Sequence, residues 1–204
     1  LGPIAQRRDA YDVAGQALEK IAAKLGVINN FAIHRADLHA VLVDQLQPGT
    51  LHLNKRCVDW EKQGSVILLK FSDHTYTLAD HVIAADGIHS VIRKKMLPDV
   101  KPRYAGYTCW RGLADQLPPD ADPGETSESW GVGSRFGIVP LTHNRVYWFA
   151  CLNAKENDPD MKAFQRDDLL RRFGHFHQPV TEILEATPPE RIIWSDIIDL
   201  RPLR

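Results

Sequence analysis

Residues 82–93, VIAADGIHSVIR, hold the densest grouping of chemically useful side chains in the chain. An apolar run ends in the Asp86 carboxylate and Gly87, and Ser90 and Arg93 follow at the opening of a helix-like stretch. A carboxylate at the end of a strand, with glycine beside it, lets a ligand approach the backbone, and the N–H groups of the next helix attract phosphate. Such a corner suits a dinucleotide. The alternative is that Asp86 and Gly87 make a turn while Ser90 caps the helix, an arrangement common in any α/β protein, and pattern alone favours it. A second grouping, FAIHRADLHAVL at residues 31–42, sets Arg35 at the mouth of a helix, where the dipole prefers acids. A cation there points to an anionic partner. Pairing with Asp37 or with a neighbouring chain also accounts for it and is the better reading of this stretch alone.

Other chemistries find little support. The nine histidines include His175 and His177, but no H-E-x-x-H and no acid at ligand spacing accompany them, so solvent-facing histidines are expected rather than zinc ligands. Ser90, His89 and Asp86 lie too close along one turn to form a serine, imidazole and carboxylate relay. Cys57, Cys109 and Cys151 are odd in number and widely spaced, which gives neither a disulfide framework nor a metal pair and fits a reducing, cytoplasmic setting. Trp60, Trp110, Trp130, Trp148 and Trp194 lack interleaved basic residues, so core and interface packing is expected rather than base stacking. With 25 basic and 26 acidic side chains the formal charge is −1, and no electrostatic case for nucleic acid or an anionic membrane arises. Apolar stretches such as 66–69 and 82–85 are far short of the roughly 20 residues a membrane helix needs. At 44% hydrophobic and 25% charged over 204 residues, the composition is globular and sufficient for a buried core. The chain opens on Leu1 without a recognisable export signal and reads as a fragment.

The elements that must position these groups follow from periodicity. Val13, Ala17, Leu18, Ile21 and Leu25 predict a helix over 9–25 stopped by Gly26, and Leu38, Leu42 and Leu46 predict another over 35–47, ended by Pro48 and Gly49. Residues 51–85 change to short β-rich pieces divided by polar turns, which reads as a small antiparallel meander. The apolar run 81–85 predicts a strand buried on both faces, followed by a helix over 88–96. Two prolines in LPDVKPR, residues 97–103, place a boundary between a region 1–101 and a region 102–204. Beyond it strands are predicted at 104–114, 129–133, 136–141, 146–152 and 191–200, with helices at 160–173 and 179–186 and a loop at 118–125. The fold class is therefore α/β in a mixed α+β sense.

Taken together and in this order, the two groupings resemble the FAD-dependent aromatic monooxygenases, the flavoprotein hydroxylases that include p-hydroxybenzoate, salicylate and urate hydroxylases. Arg35-Ala36-Asp37-Leu38 is similar to the family's R-x-x-L helix start, whose arginine reaches the flavin cofactor. Residues 85–93, with Asp86, Gly87, Ser90 and Arg93, resemble its D-G-x-x-S-x-x-R fingerprint, implicated in both the FAD and the nicotinamide nucleotide. The resemblance implies Cys57 as a main-chain contact to adenine. It continues through residues 104–112 and 135–141, similar to the family's substrate-domain strands, and covers nearly everything from residue 31 onward. In the urate hydroxylase branch an arginine and a tyrosine on this sheet contact the substrate, and they fall on Arg135 and Tyr147. A guanidinium anchors an anionic or carbonyl-rich ring through a fork of donors, and a phenol adds hydrogen bonding and stacking. Both also read equally well as ordinary strand residues, Tyr147 packing beside Trp148 and Phe149.

The implied architecture is a partial FAD-binding α/β domain with a small β-meander over 1–101, plus a substrate-binding antiparallel β-sheet covered by helices over 102–204. The family's G-x-G-x-x-G after a strand is absent from this sequence. Gly131-Val132-Gly133 is not that motif, because it continues into strand-like sequence rather than opening a helix. The family's G-D segment after the last strand is absent too. The activity implied is hydroxylation of an aromatic or heteroaromatic small molecule with O2, FAD and NADH or NADPH, the chain forming the central portion of the enzyme. A non-catalytic, truncated flavoprotein-like domain that binds an aromatic small molecule is the alternative, and an epoxidase or a flavin-dependent reductase keeps the fold with another reaction.

Overall fold

The computed structural model describes residues 32–119 and 121–202, so the helix expected over 9–25 lies outside the described residues. The chain runs α1 (Arg35–Asp44), β1 (Cys57–Gln63), β2 (Val66–Phe71), β3 (Tyr76–Ala79), α2 (Val91–Met96), β4 (Arg103–Ala114), β5 (Ser127–Gly131), β6 (Ser134–Pro140), β7 (Val146–Asn153), α3 (Pro159–Ala163), α4 (Arg166–Phe173), α5 (Val180–Ala186), a short 3-10 turn (Pro189–Arg191) and β8 (Ile193–Asp199). The strands form two sheets, β1-β2-β3 and β5-β6-β7-β4-β8, and every pairing among them is antiparallel.

The meander forms as its sequence requires. Trp60 lies opposite Leu69 and Leu68 opposite Leu78, so apolar side chains meet across the strands. Gly64 turns the first hairpin at φ +61, a left-handed conformation that costs glycine nothing. At the second turn the Asp73 carboxylate accepts the Thr75 N–H at 3.1 Å and closes the loop.

Two expectations in this half are corrected. Residues 81–85 are not a strand buried on both faces: no ladder forms, and Ile83 is 93% exposed. An extended apolar run becomes a strand only when neighbours take up its N–H and C=O groups, and among the described residues no strand pairs with it. The helix expected from 88 begins at Val91, because Ser90 sits at its N-cap and accepts the Arg93 N–H at 3.0 Å. Leu38 and Leu42 are helical as expected, but α1 ends at Asp44 rather than 47, so Leu46 lies beyond it, and no residue of that helix is buried.

The larger sheet carries the core. Alternation along β4, β6 and β7 sends Trp110, Phe136, Trp148 and Ala150 to one face, where Leu169 and Phe173 of α4 and Val180, Ile183 and Leu184 of α5 cover them. Phe136 stacks on Trp148 with ring centroids 5.5 Å apart. The Trp148 indole N–H donates to the Thr187 hydroxyl at 2.8 Å, which itself donates to the Ile183 carbonyl at 2.7 Å, so a fully buried polar pair is satisfied. The single helix expected at 160–173 is two. Phe164 breaks it with extended backbone and stacks on Trp110 at 5.2 Å, and Gln165 with Asp168 forms a capping box that restarts it. None of the described helices is long and apolar enough to cross a membrane.

Candidate functional site

With one face of the five-stranded sheet sealed by helices, the alternate residues turn to the other face. The register aligns them in rows: Cys109, Cys151 and Arg135; then Arg111, Phe149 and Gly137; then Leu113, Tyr147 and Val139. Tyr107 stands before the first row and Ser195 of β8 lies beside Cys109. This face carries the polar chemistry of the sheet.

Arg135 is the most engaged group. Its guanidinium lies 5.3 Å over the Tyr107 ring, donates to the Tyr107 hydroxyl at 3.4 Å and pairs with Glu128 at 3.3 Å. Together with Tyr107, Trp130, Ser134, Cys151 and Asn153, Arg135 lines an open cavity of about 410 Å³. Of the core and interface packing expected of the tryptophans, Trp130 does not take the core part. It is 78% exposed, because β5 is an edge strand and its outward position overhangs the cavity rather than the core.

Tyr147 shares the face but not the cavity. It lies four residues before Cys151 on β7, roughly 13 Å along the strand from the Arg135 row. Burial pushes its phenol up, and the neighbouring Arg111 guanidinium acts against that. Its ring is tilted against Phe149 at 6.3 Å, while Trp148 points to the opposite face. Arg111 is held by the Ser195 hydroxyl at 3.0 Å. It therefore stands between the two sequence-predicted residues, which do not touch each other. Sequence reasoning passed over Arg111 and Tyr107, although period-two counting from Cys109 along β4 puts both on this face.

Gly137 supplies shape. A Cβ there would lie 2.1 Å from the Phe149 ring, so the absence of a side chain lets that ring lie flat across β6 as an apolar wall between Arg135 and Tyr147.

The remaining predicted residues form a second group. The Asp86 carboxylate accepts the Val91 N–H at 3.0 Å, and the Ser90 hydroxyl beside it, with that N–H, holds its carboxyl below the usual range. Arg93 folds back to donate to the carbonyls of Gly87, at 3.3 Å, and Ile88, leaving its buried Nε without a partner. Gly87 adopts φ +78, and a Cβ built on it meets nothing within 4 Å. Cys57, half-buried at the start of β1, donates to the Asp59 carbonyl at 3.5 Å. Burial pushes its thiol up, and Asp86 lies close enough to add to that. The structure therefore brings Cys57, Asp86, Gly87 and Arg93 together, with open space beside the Gly87 backbone. Locally the bonds are those of the plain turn and cap.

Arg35 is exposed at the mouth of α1 and hydrogen-bonds to neither group among the described residues. Its expected partner Asp37 pairs instead with Arg145, at the loop before β7, and that guanidinium holds the Asp37 carboxyl down. A hollow of about 560 Å³ on the smaller sheet, walled by Val58, Leu68, Phe71 and Leu78, contains none of the predicted site residues. His175 and His177 are exposed, and His177 shares a 2.7 Å hydrogen bond with the Ser129 hydroxyl. Among the described residues no cluster of three or more metal-ligating side chains occurs.

No protein-family model matches the chain. Over 193 residues, 95% of its length, it is 33% identical to the aurachin C monooxygenase/isomerase of Stigmatella aurantiaca, of which it covers 50%. It is 34% identical over 159 residues to the 3-amino-4-hydroxybenzoate 2-monooxygenase of Streptomyces cremeus, covering 76% of this chain and 39% of that one. Among solved structures it superposes on Klebsiella pneumoniae HpxO complexed with FAD and uric acid, with a TM-score of 0.76 and 25% identity over 91% of this chain and 48% of that protein. The chain thus spans about half the length, or less, of the proteins it matches.

Proposed function

The chain is homologous to the FAD-dependent aromatic monooxygenases, and on that premise we propose that it forms the central portion of such an enzyme, acting on an aromatic or heteroaromatic small molecule. Residues 1–101 belong in this reading to the FAD-binding region and 102–204 to the substrate-binding sheet. The observation that carries it is the open face of the larger sheet, where guanidiniums, phenols and an aromatic wall line a surface whose reverse is sealed by helices.

The FAD-side residues fit the group. The unfilled space beside Gly87 admits a close backbone approach, and the unpartnered Arg93 Nε lies in the same corner. Arg35, the Cys57 main chain, Asp86, Gly87 and Arg93 would hold the cofactor. Bound FAD supplies electron transfer from NADH or NADPH and the activation of O2. The chain's own residues orient and shield the substrate. Arg135 presents its donors to an anionic or carbonyl oxygen on the ring, Tyr147 with Arg111 fixes the far edge, and Phe149 and Val139 keep water from the space between them. Oxygen insertion requires such a held ring, because the product is set by which carbon faces the oxidant. A reducing, cytoplasmic setting belongs to the same reading.

The test is Arg135→Ala in the complete enzyme. Substrate-stimulated NAD(P)H oxidation should weaken while flavin content, read from visible absorbance, stays normal; unchanged kinetics would remove the assignment. A colourless complete protein that still binds an aromatic ligand would instead favour the non-catalytic binding module.

A further inference from the structure

The sequence offered no disulfide framework, yet β4 and β7 place Cys109 and Cys151 directly opposite each other on the same face of the sheet. Directly opposed residues of antiparallel strands have Cα atoms about 4.5 or 5.5 Å apart, according to the pair type, and a disulfide accepts Cα separations of about 4.4–6.8 Å. Both thiols are free and buried, at 2% and 5% exposure. Cys151 nevertheless lines the cavity with its strand partner Arg135, so a small solute entering there meets this residue. We propose that Cys109 and Cys151 are a redox pair in the cavity floor, which a peroxide closes to a cross-strand disulfide.

The order of attack follows from the surroundings. The neighbouring Cys109 sulfur, with Arg135 and Arg111 nearby, lowers the Cys151 thiol, whereas the Cys151 neighbour and burial raise Cys109, whose own thiol donates to the Trp110 carbonyl at 3.4 Å. Cys151 is therefore the nucleophile and Cys109 the resolving thiol. The Cys151 thiolate attacks one peroxide oxygen; the O–O bond breaks, hydroxide leaves and takes up a proton as water, and a sulfenic acid remains. The Cys109 sulfur then attacks the Cys151 sulfur; the S–O bond breaks, and the departing hydroxide takes the Cys109 proton as a second water. In sum, two thiols lose two electrons and two protons, and one peroxide becomes two waters. Closure replaces the Cys151 thiol beside Arg135 with a neutral disulfide and so changes what that guanidinium faces. The inference depends on register and burial, not on the flavin reading, and it survives if the flavin reading fails.

The folded, intact protein is treated with hydrogen peroxide, then denatured, alkylated and digested for mass spectrometry. The expected result is loss of both alkylatable thiols at Cys109 and Cys151, appearance of a linked β4–β7 peptide pair, recovery of both thiols with dithiothreitol, and a Cys57 that stays alkylatable. In Cys109→Ser the disulfide is lost and Cys151 becomes trappable by dimedone as sulfenic acid. The proposal is overturned if the wild-type thiols both remain alkylatable, or if wild-type Cys151 accumulates dimedone adduct without a linked peptide. The wild-type measurement decides alone should Cys109→Ser not fold.

Discussion

Asp86 illustrates how one carboxylate serves a corner before any ligand is considered. Its acceptor bonds to Ser90 and the Val91 N–H favour the ionised form, so its folded pKa lies below the unfolded value of about 3.9. A carboxyl depressed in this way contributes stability that is present above the unfolded value and is lost as pH falls through the folded one. Asp86→Asn should therefore lower the denaturation midpoint near neutrality, and the difference from wild type should close on acidification below that range; urea titrations at a series of pH values would measure it. A difference independent of pH would mean that the side chain acts through shape and not charge. Arg93 shows the complementary case, a guanidinium spent on tying Gly87 and Ile88 together, which is why its role in the corner is visible even without a nucleotide.

The strands decide which side chains meet. Gly137 permits Phe149 to cross β6, so Gly137→Ala must push the ring aside or move a strand, at a cost of about 1–3 kcal/mol by denaturant unfolding. Shortening the ring in the double variant Gly137→Ala with Phe149→Leu should recover part of that loss, and no recovery would show that the strain lies elsewhere. On the reverse of the sheet, Thr187→Val keeps the volume near Trp148 but leaves a buried indole N–H without an acceptor. The expected loss is about 1–3 kcal/mol, with Thr187→Ser retaining most of the stability because the hydroxyl remains. The break at Phe164 belongs to the same logic: stacking on Trp110 outweighs continuing one helix through 160–173.

Across the whole molecule protection should follow the sheets. β4 and β7 lie inside the five-stranded order and carry more buried residues than the other strands, whereas β3 is an edge and residues 81–85 have no ladder. Amide exchange should be slowest in β4 and β7 and fastest in β3 and 81–85; uniform protection would contradict this division. The amino-acid order by itself determined the meander, the strands of the larger sheet and the start of α1, because those follow from period-two alternation, turn residues and caps that act over a few positions; the start of α2 at Val91 and the restart of α4 at Arg166 it did not place. Its motifs also carried the family resemblance, through Arg35, Asp86 and Arg93. Tertiary structure alone decided that 81–85 stay unpaired, that Asp37 meets Arg145, that Trp130 faces outward, and that Cys109 and Cys151 stand opposite each other beside Arg135. Each of these depends on which distant segment arrives as a neighbour, and register between strands is set by the packing of the entire sheet.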